Sequence, residues 1–165
     1  MVARIDYENK KKIYANYDLK FPHTKFDMED MLSIASMEMD IEPKTYVIQE
    51  ASKWFDARRS SRKENTLLSS FTGQSGKREI DIYYDDQFVT RIDRGLRDIT
   101  DYSFISNCVR DANKNPLIFE YEMYNGYFLS PTGKTIRFPA QWMQQFYDMY
   151  DTRQPTFANY QLERQ

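Results

Sequence analysis

The sequence is poor in the residues that most catalytic and covalent architectures require. One Cys (Cys108) and one His (His23) occur in 165 residues. A lone Cys makes no internal disulfide, which fits a reducing compartment. Two such residues fall short of the three or four Cys and His ligands of a zinc site. Histidine-based nucleophilic catalysis would have to use His23, which stands beside Pro22 and far in sequence from Cys108. Glycine is scarce as well, with 5 residues. The one run that resembles a phosphate loop is Gly133-Lys134-Thr135. Phe128 stands where that loop needs its first Gly, so Pro131-Thr132-Gly133 reads as a turn. No apolar run approaches the ~20 residues that span a bilayer. The first residues are charged and lack the apolar core of a signal peptide. The expectation is a cytoplasmic protein with no membrane association, no metal and no cofactor.

What is present indicates a globular chain. Hydrophobic residues make up 41% and charged residues 29%, a balance that supports a packed core. Net charge is −2, which excludes coating of nucleic acid by bulk charge and leaves room for a local basic patch. Aromatics reach 16%, with 13 Tyr and 11 Phe, and there are 8 Met; surplus Tyr and Met suit contact surfaces.

The pattern predicts one α+β domain over residues 1–165. It comprises a helical layer (1–65), a mixed layer (77–152) and a polar tail (153–165), with Ser69–Gly76 as the most linker-like stretch. Asp27, with Asp30 three residues on, caps a helix through Met28, Met31, Leu32, Ala35 and Met39. Pro43 opens a second helix with Val47, Ala51, Trp54, Phe55 and Arg58 on one face. Ile80, Ile82 and Tyr84 alternate as a strand, Asp85-Asp86-Gln87 turns, and Phe88–Ile92 returns. Thr100 or Asp101 caps a third helix with Ile105, Cys108, Val109 and Ala112 inward. Leu117–Tyr124, Tyr127–Ser130 and Lys134–Phe138 form a meander turned at Asn125-Gly126, and Pro139 opens a last helix. The order αα-ββ-α-βββ-α implies an antiparallel sheet of about five strands packed with about four helices.

Charge is unevenly distributed. Asp27 to Glu42 holds six acids and no base, whereas Lys53 to Arg78 holds seven bases against Asp56 and Glu64. Like charges one helical turn apart, Arg58 with Arg62 and Arg59 with Lys63, would be relieved by an anionic partner such as a phosphate backbone. Ile34–Phe55 also resembles a helix-turn-helix, with Ser36, Asp40, Ile41, Pro43, Thr45 and Tyr46 near that motif's key positions and Lys44, Gln49 and Lys53 facing the groove. Asp40 stands where the motif prefers Gly. Internal neutralisation of the two windows is the competing account, since helix dipoles favour acids at one end and bases at the other.

These observations suggest a non-enzymatic binding protein. Its nucleic-acid contacts would be Lys44, Gln49, Lys53, Arg58, Arg59, Arg62, Lys63, Lys77 and Arg78. The alternative is a protein-interaction, inhibitory or assembly factor acting on a larger complex, with homo-oligomerisation open to it. In composition it resembles small phage-encoded proteins. A third reading, a divergent metal-dependent nuclease, would use Asp81, Glu120 and Glu122, although Glu120-Tyr121-Glu122 departs from the Glu-x-Lys such enzymes favour.

Overall fold

The computed structural model describes residues 1–27, 29–31, 33, 42–56, 58, 66, 70–127, 130–147 and 149. The chain divides into two compact units, one over Met1–Leu96 and the other over Arg97–Tyr150. Among the described residues no helix is long and apolar enough to cross a membrane.

The first unit is built on a four-stranded sheet in the order β2-β1-β3-β4, with every pairing parallel. Its strands are β1 (Lys12–Ala15), β2 (Thr24–Lys25), β3 (Lys44–Ile48) and β4 (Ile80–Tyr84). This corrects the expected five-stranded antiparallel sheet. The cause lies in β3. Lys-Thr-Tyr-Val-Ile is rich in β-branched and aromatic side chains, and four of its five residues are buried, as in a parallel strand covered on both faces. A strand of that kind shows no alternation, so the spacing of Val47, Ala51, Trp54 and Phe55 imitated a helix. Only the tail of that spacing is helical, a 3-10 turn at Ala51–Lys53 after which the Phe55 amide reaches the Ala51 carbonyl at 2.8 Å.

Register places Tyr14, Tyr46 and Ile82 on one face of the sheet and Ile13, Thr45 and Asp81 on the other. On the first face Tyr46 is at the centre of an aromatic cluster. It stacks on Tyr14 at 4.8 Å and meets the edges of Phe26 at 5.3 Å and Phe71 at 5.7 Å, while Phe26 touches Trp54 at 5.1 Å. The other face is covered by helix α1 (Val2–Glu8), whose buried Asp6 accepts a 2.9 Å hydrogen bond from Thr45 Oγ1. The Asp27 cap is present: Asp27 and Asp30 each accept the other's backbone N–H, at 2.9 and 3.0 Å. Residues 29–31 are helical and Met31 is fully buried.

The hairpin expected after β4 does not form. Asp85 and Asp86 turn the chain away, Val89–Arg91 is a 3-10 turn, and Ile92 makes an isolated bridge to Asp56. The stretch expected as a linker carries helical residues 70–73 and a 3-10 turn at Ser75–Arg78, inside the first unit. A short helix α2 (Arg94–Asp98) follows, its Gly95 amide bonded to Asp93 Oδ1 at 2.8 Å.

The second unit is a three-stranded antiparallel sheet, β5 (Tyr102–Arg110), β6 (Pro116–Asn125) and β7 (Ser130–Pro139), followed by helix α3 (Ala140–Tyr147). The helix expected over Ile105, Cys108, Val109 and Ala112 is strand β5, because Tyr, Phe, Ile, Cys and Val outnumber helix formers there. The turn expected at Pro131-Thr132-Gly133 lies inside a single strand, β7, while residues 128 and 129 of the strand expected before it lie outside the described residues. Residues 132–134 bulge opposite Met123, with Gly133 at φ +73° and Thr132 Oγ1 bonded to the Met123 carbonyl at 2.8 Å. At the Asn125-Gly126 turn only Gly126 takes a positive φ, of 60°, so the turn is not type I′.

Candidate functional site

In parallel α/β sheets ligands bind beyond the carboxyl ends of the strands, where neighbouring strands send their connections in opposite directions. Here that point lies between β1 and β3, since β2 lies outside β1 and β4 outside β3. Among the described residues, Asn16, Gln49, Glu50, Asp85 and Asp86 follow these strand ends, and their polar groups bond to one another. Asn16 is fully buried; its amide donates to the Gln49 carbonyl and accepts from the Gln49 N–H, both at 2.9 Å. Glu50 takes a left-handed conformation at φ 54°, which turns successive N–H groups outward. Those N–H groups are already bound to aspartates. Glu50 N–H reaches Asp85 Oδ1 at 3.0 Å, and Ser52 N–H reaches Asp86 Oδ2 at 2.7 Å. The Ala51 N–H reaches the Asp85 carbonyl at 2.9 Å. A phosphate loop needs glycines after the first strand. The first glycine of this chain is Gly73.

His23 follows β1 in the same unit. Its Nδ1 lies 2.9 Å from the Phe21 carbonyl, and its Nε2 accepts from the Leu19 amide at 3.4 Å. Both ring nitrogens are spent on the loop, so His23 shapes the chain there. At the amino end of β1 an open depression of about 380 Å³ is lined by Tyr7, Glu8, Lys10 and Lys11. Lys11 is hydrogen-bonded to Asp81 and lies 3.5 Å from Asp6. The Asp81 bond holds the Lys11 ammonium above its ordinary pKa, against the effect of partial burial. Burial, then the Asp6 and Asp81 charges, push the Tyr83 phenol up.

Among the described residues expected to contact nucleic acid, Lys44 and Arg78 are buried while Lys53, Arg58 and Lys77 are exposed. Lys44 is in β3 and buried, so the helix-turn-helix reading of Ile34–Phe55 is overturned at its recognition helix. Gln49 is half-buried in the Asn16 latch. Lys53 pairs with Glu50. Arg58 forms a two-pronged pair with Asp56, at 3.1 and 2.9 Å, which raises its pKa. Lys77 is exposed, whereas Arg78 is buried against the Phe71 ring and 3.3 Å from Gln74 Oε1. Arg59, Arg62 and Lys63 lie outside the described residues, as do Ile34–Ile41 of the expected motif. Of the acidic window, Glu42 pairs with Lys12.

The carboxylates of the nuclease reading are on different sheets. Asp81 belongs to β4 of the first unit and pairs with Lys11. Glu120 and Glu122 belong to β6 of the second unit, and Glu120 pairs with Arg137 at 2.7 Å. Among the described residues no group of three His, Cys, Asp or Glu is placed to hold a metal ion.

The second unit offers a different kind of surface. Directly opposed residues share a face, so one face of its sheet carries Tyr102, Phe104, Ser106 and Cys108, then Leu117, Phe119, Tyr121 and Met123, then Ile136 and Phe138. Helix α3 packs on this face through a Phe138–Trp142 stack at 4.8 Å, with Tyr121 edge-on to Phe138 at 5.9 Å and Met143 buried. The face is not filled by that helix: Tyr102 remains 54% exposed, Leu117 50%, Phe104 48% and Ile136 41%. The opposite face carries the Glu120–Arg137 pair beside exposed Ile105, Val109 and Ile118. Sequence reasoning missed this surface by reading β5 as a helix. The surplus of Tyr, Phe and Met was the signal that pointed to it.

No family model matches the chain, and no curated protein does. Among solved structures, the N-terminal domain of zonular occludens toxin from Neisseria meningitidis is similar, with a TM-score of 0.60 and 16% identity. The match covers 86% of this chain and 80% of that one. At that identity the likeness is one of fold.

Proposed function

We propose that this chain is a non-enzymatic protein-contact or assembly module that works through the apolar face of its antiparallel sheet. The observation that carries this reading is the row of exposed large side chains on adjacent strands, Tyr102 and Phe104 on β5, Leu117 on β6 and Ile136 on β7. Singly exposed apolar residues are ordinary, but contiguous ones mark contact surfaces, with aromatics enriched at their centres. The strand ends of the parallel sheet favour the same reading from the other side, because their N–H groups and carboxylates are occupied by each other.

Site-specific photocrosslinking tests it. A photoreactive phenylalanine analogue at Phe104 should give a covalent adduct with a protein. The same analogue at Gln87, an exposed position of the first unit, should give none. Equal yields at the two positions, or none at 104, would remove the proposal.

A further inference from the structure

The two outer strands of the antiparallel sheet, β5 and β7, are built differently. An open strand edge is a template for pairing, and proteins that must stay apart blunt it with proline, lysine and bulges. Strand β7 has all three: Pro131 and Pro139, Lys134, and the bulge at residues 132–134 opposite Met123. Strand β5 reads Tyr-Ser-Phe-Ile-Ser-Asn-Cys-Val-Arg. It holds no Pro, Gly, Lys or acid, and its register with β6 runs unbroken from Tyr102 to Val109.

One hydrogen bond orients the outer edge. The Cys108 N–H donates to Asn107 Oδ1 of its own strand at 2.9 Å, so it points away from β6. Antiparallel strands alternate inward- and outward-pointing backbone groups. Tyr102, Phe104, Ser106 and Cys108, within the unbroken register, therefore turn their N–H and C=O groups to the outer edge.

We infer that β5 pairs antiparallel with β5 of a second copy of this chain, about a twofold axis through Ser106. The strand is complementary to itself in that register. Ser106 is its midpoint, so all nine residues overlap. Phe104 lies across from Cys108 of the other copy, a large side chain against a small one. Tyr102 lies across from Arg110, the strand's single charge, placing a guanidinium on an aromatic ring. Like charges never face each other, and the outward-facing residues of one strand meet those of the other. The result is a six-stranded sheet whose apolar faces run on through Phe104 and Tyr102. This rests on the protein-contact reading of the sheet and names its partner.

Sedimentation velocity of the full chain over a concentration series should show a monomer–dimer equilibrium. Ser106→Pro removes only an outward N–H, and should raise the dimer dissociation constant at least ~10-fold while leaving the far-ultraviolet circular dichroism unchanged. A second variant does not depend on that substitution being tolerated. In a Cys108→Ser background, Ser106→Cys places two sulfurs on residues whose Cα atoms lie ~5.5 Å apart in a hydrogen-bonded pair, inside the ~4.4–6.8 Å a disulfide spans. Mild oxidation should convert it to a covalent dimer at least ~10-fold faster than Lys134→Cys in the same background. A chain that is monomeric at every concentration, with Ser106→Cys linking no faster than Lys134→Cys, overturns the inference. If position 104 still photocrosslinks to another protein in that case, the protein-contact reading survives and only the second copy is lost. If it crosslinks to nothing, both fall.

Discussion

The two sheets of this protein treat their polar and apolar groups in opposite ways. In the parallel sheet β3 is buried on both faces, and among the described residues the strand ends are bonded together by the Asn16–Gln49 latch and by Asp85 and Asp86. In the antiparallel sheet the residues are mostly exposed, and apolar side chains stand in solvent on adjacent strands. Parallel sheets ordinarily take ligands beyond their strand ends; here the described groups at those ends bond to one another. The apolar side chains that the proposed contact function rests on are exposed on the other sheet.

This contrast can be broken or sharpened by substitution. The largest effect is expected at Tyr46, which is 1% exposed and touches three other rings. Tyr46→Ala should lower stability by ~3–5 kcal/mol, measured by denaturant unfolding. Phe104→Ala should change it by less than ~0.5 kcal/mol in dilute solution, as exposed substitutions do. If Phe104→Ala costs as much as Tyr46→Ala, the antiparallel sheet is not an open surface. Next comes Asn16→Ala, which strips the Gln49 N–H and C=O of their partner and should cost ~1–3 kcal/mol. Faster hydrogen exchange at the Gln49 amide would locate that loss; an unchanged rate would mean the latch is dispensable.

The smallest effect concerns the β5–β6 turn. Asp111 accepts hydrogen bonds from the Asn115 side chain and from the Asn115 and Asn113 amides, led by the side-chain bond, and these hold its carboxyl below 3.8. A carboxyl depressed in the folded state contributes stability above its ordinary pKa and loses it as pH falls through the depressed one. Amide exchange at Asn113 and Asn115 should therefore be constant at neutral pH, after correction for intrinsic rates, and lose protection only below ~3.8. Asp111→Asn should abolish that acid step. Loss of protection already near neutral pH would refute the assignment.

Legibility followed solvent exposure and local chemistry. Strand β4, strand β6, helix α3 and the Asp27–Asp30 cap could be read because each has a local signature. Strand β3 could not, because burial on both faces erases alternation. Strand β5 failed for the converse reason: exposure on both faces leaves its apolar residues without a fixed period. The parallel topology was hidden by Asp85-Asp86-Gln87, which has the composition of a hairpin turn. Its carboxylates instead bind N–H groups at positions 50 and 52 of a strand end distant in sequence. No local rule encodes that pairing. Of the candidate site, the basic residues were legible as charge, but their burial was not: Lys44 and Arg78 differ from Lys77 only in where the fold places them.

The aspartates at those N–H groups have one more consequence. They are tethered anions, held against donors that a phosphate would otherwise use, and a tether of this kind sets an effective concentration in the millimolar range or above. A free anion in solution therefore meets a competitor that never diffuses away. An anion binding at those N–H groups would first have to displace the Asp85 and Asp86 carboxylates.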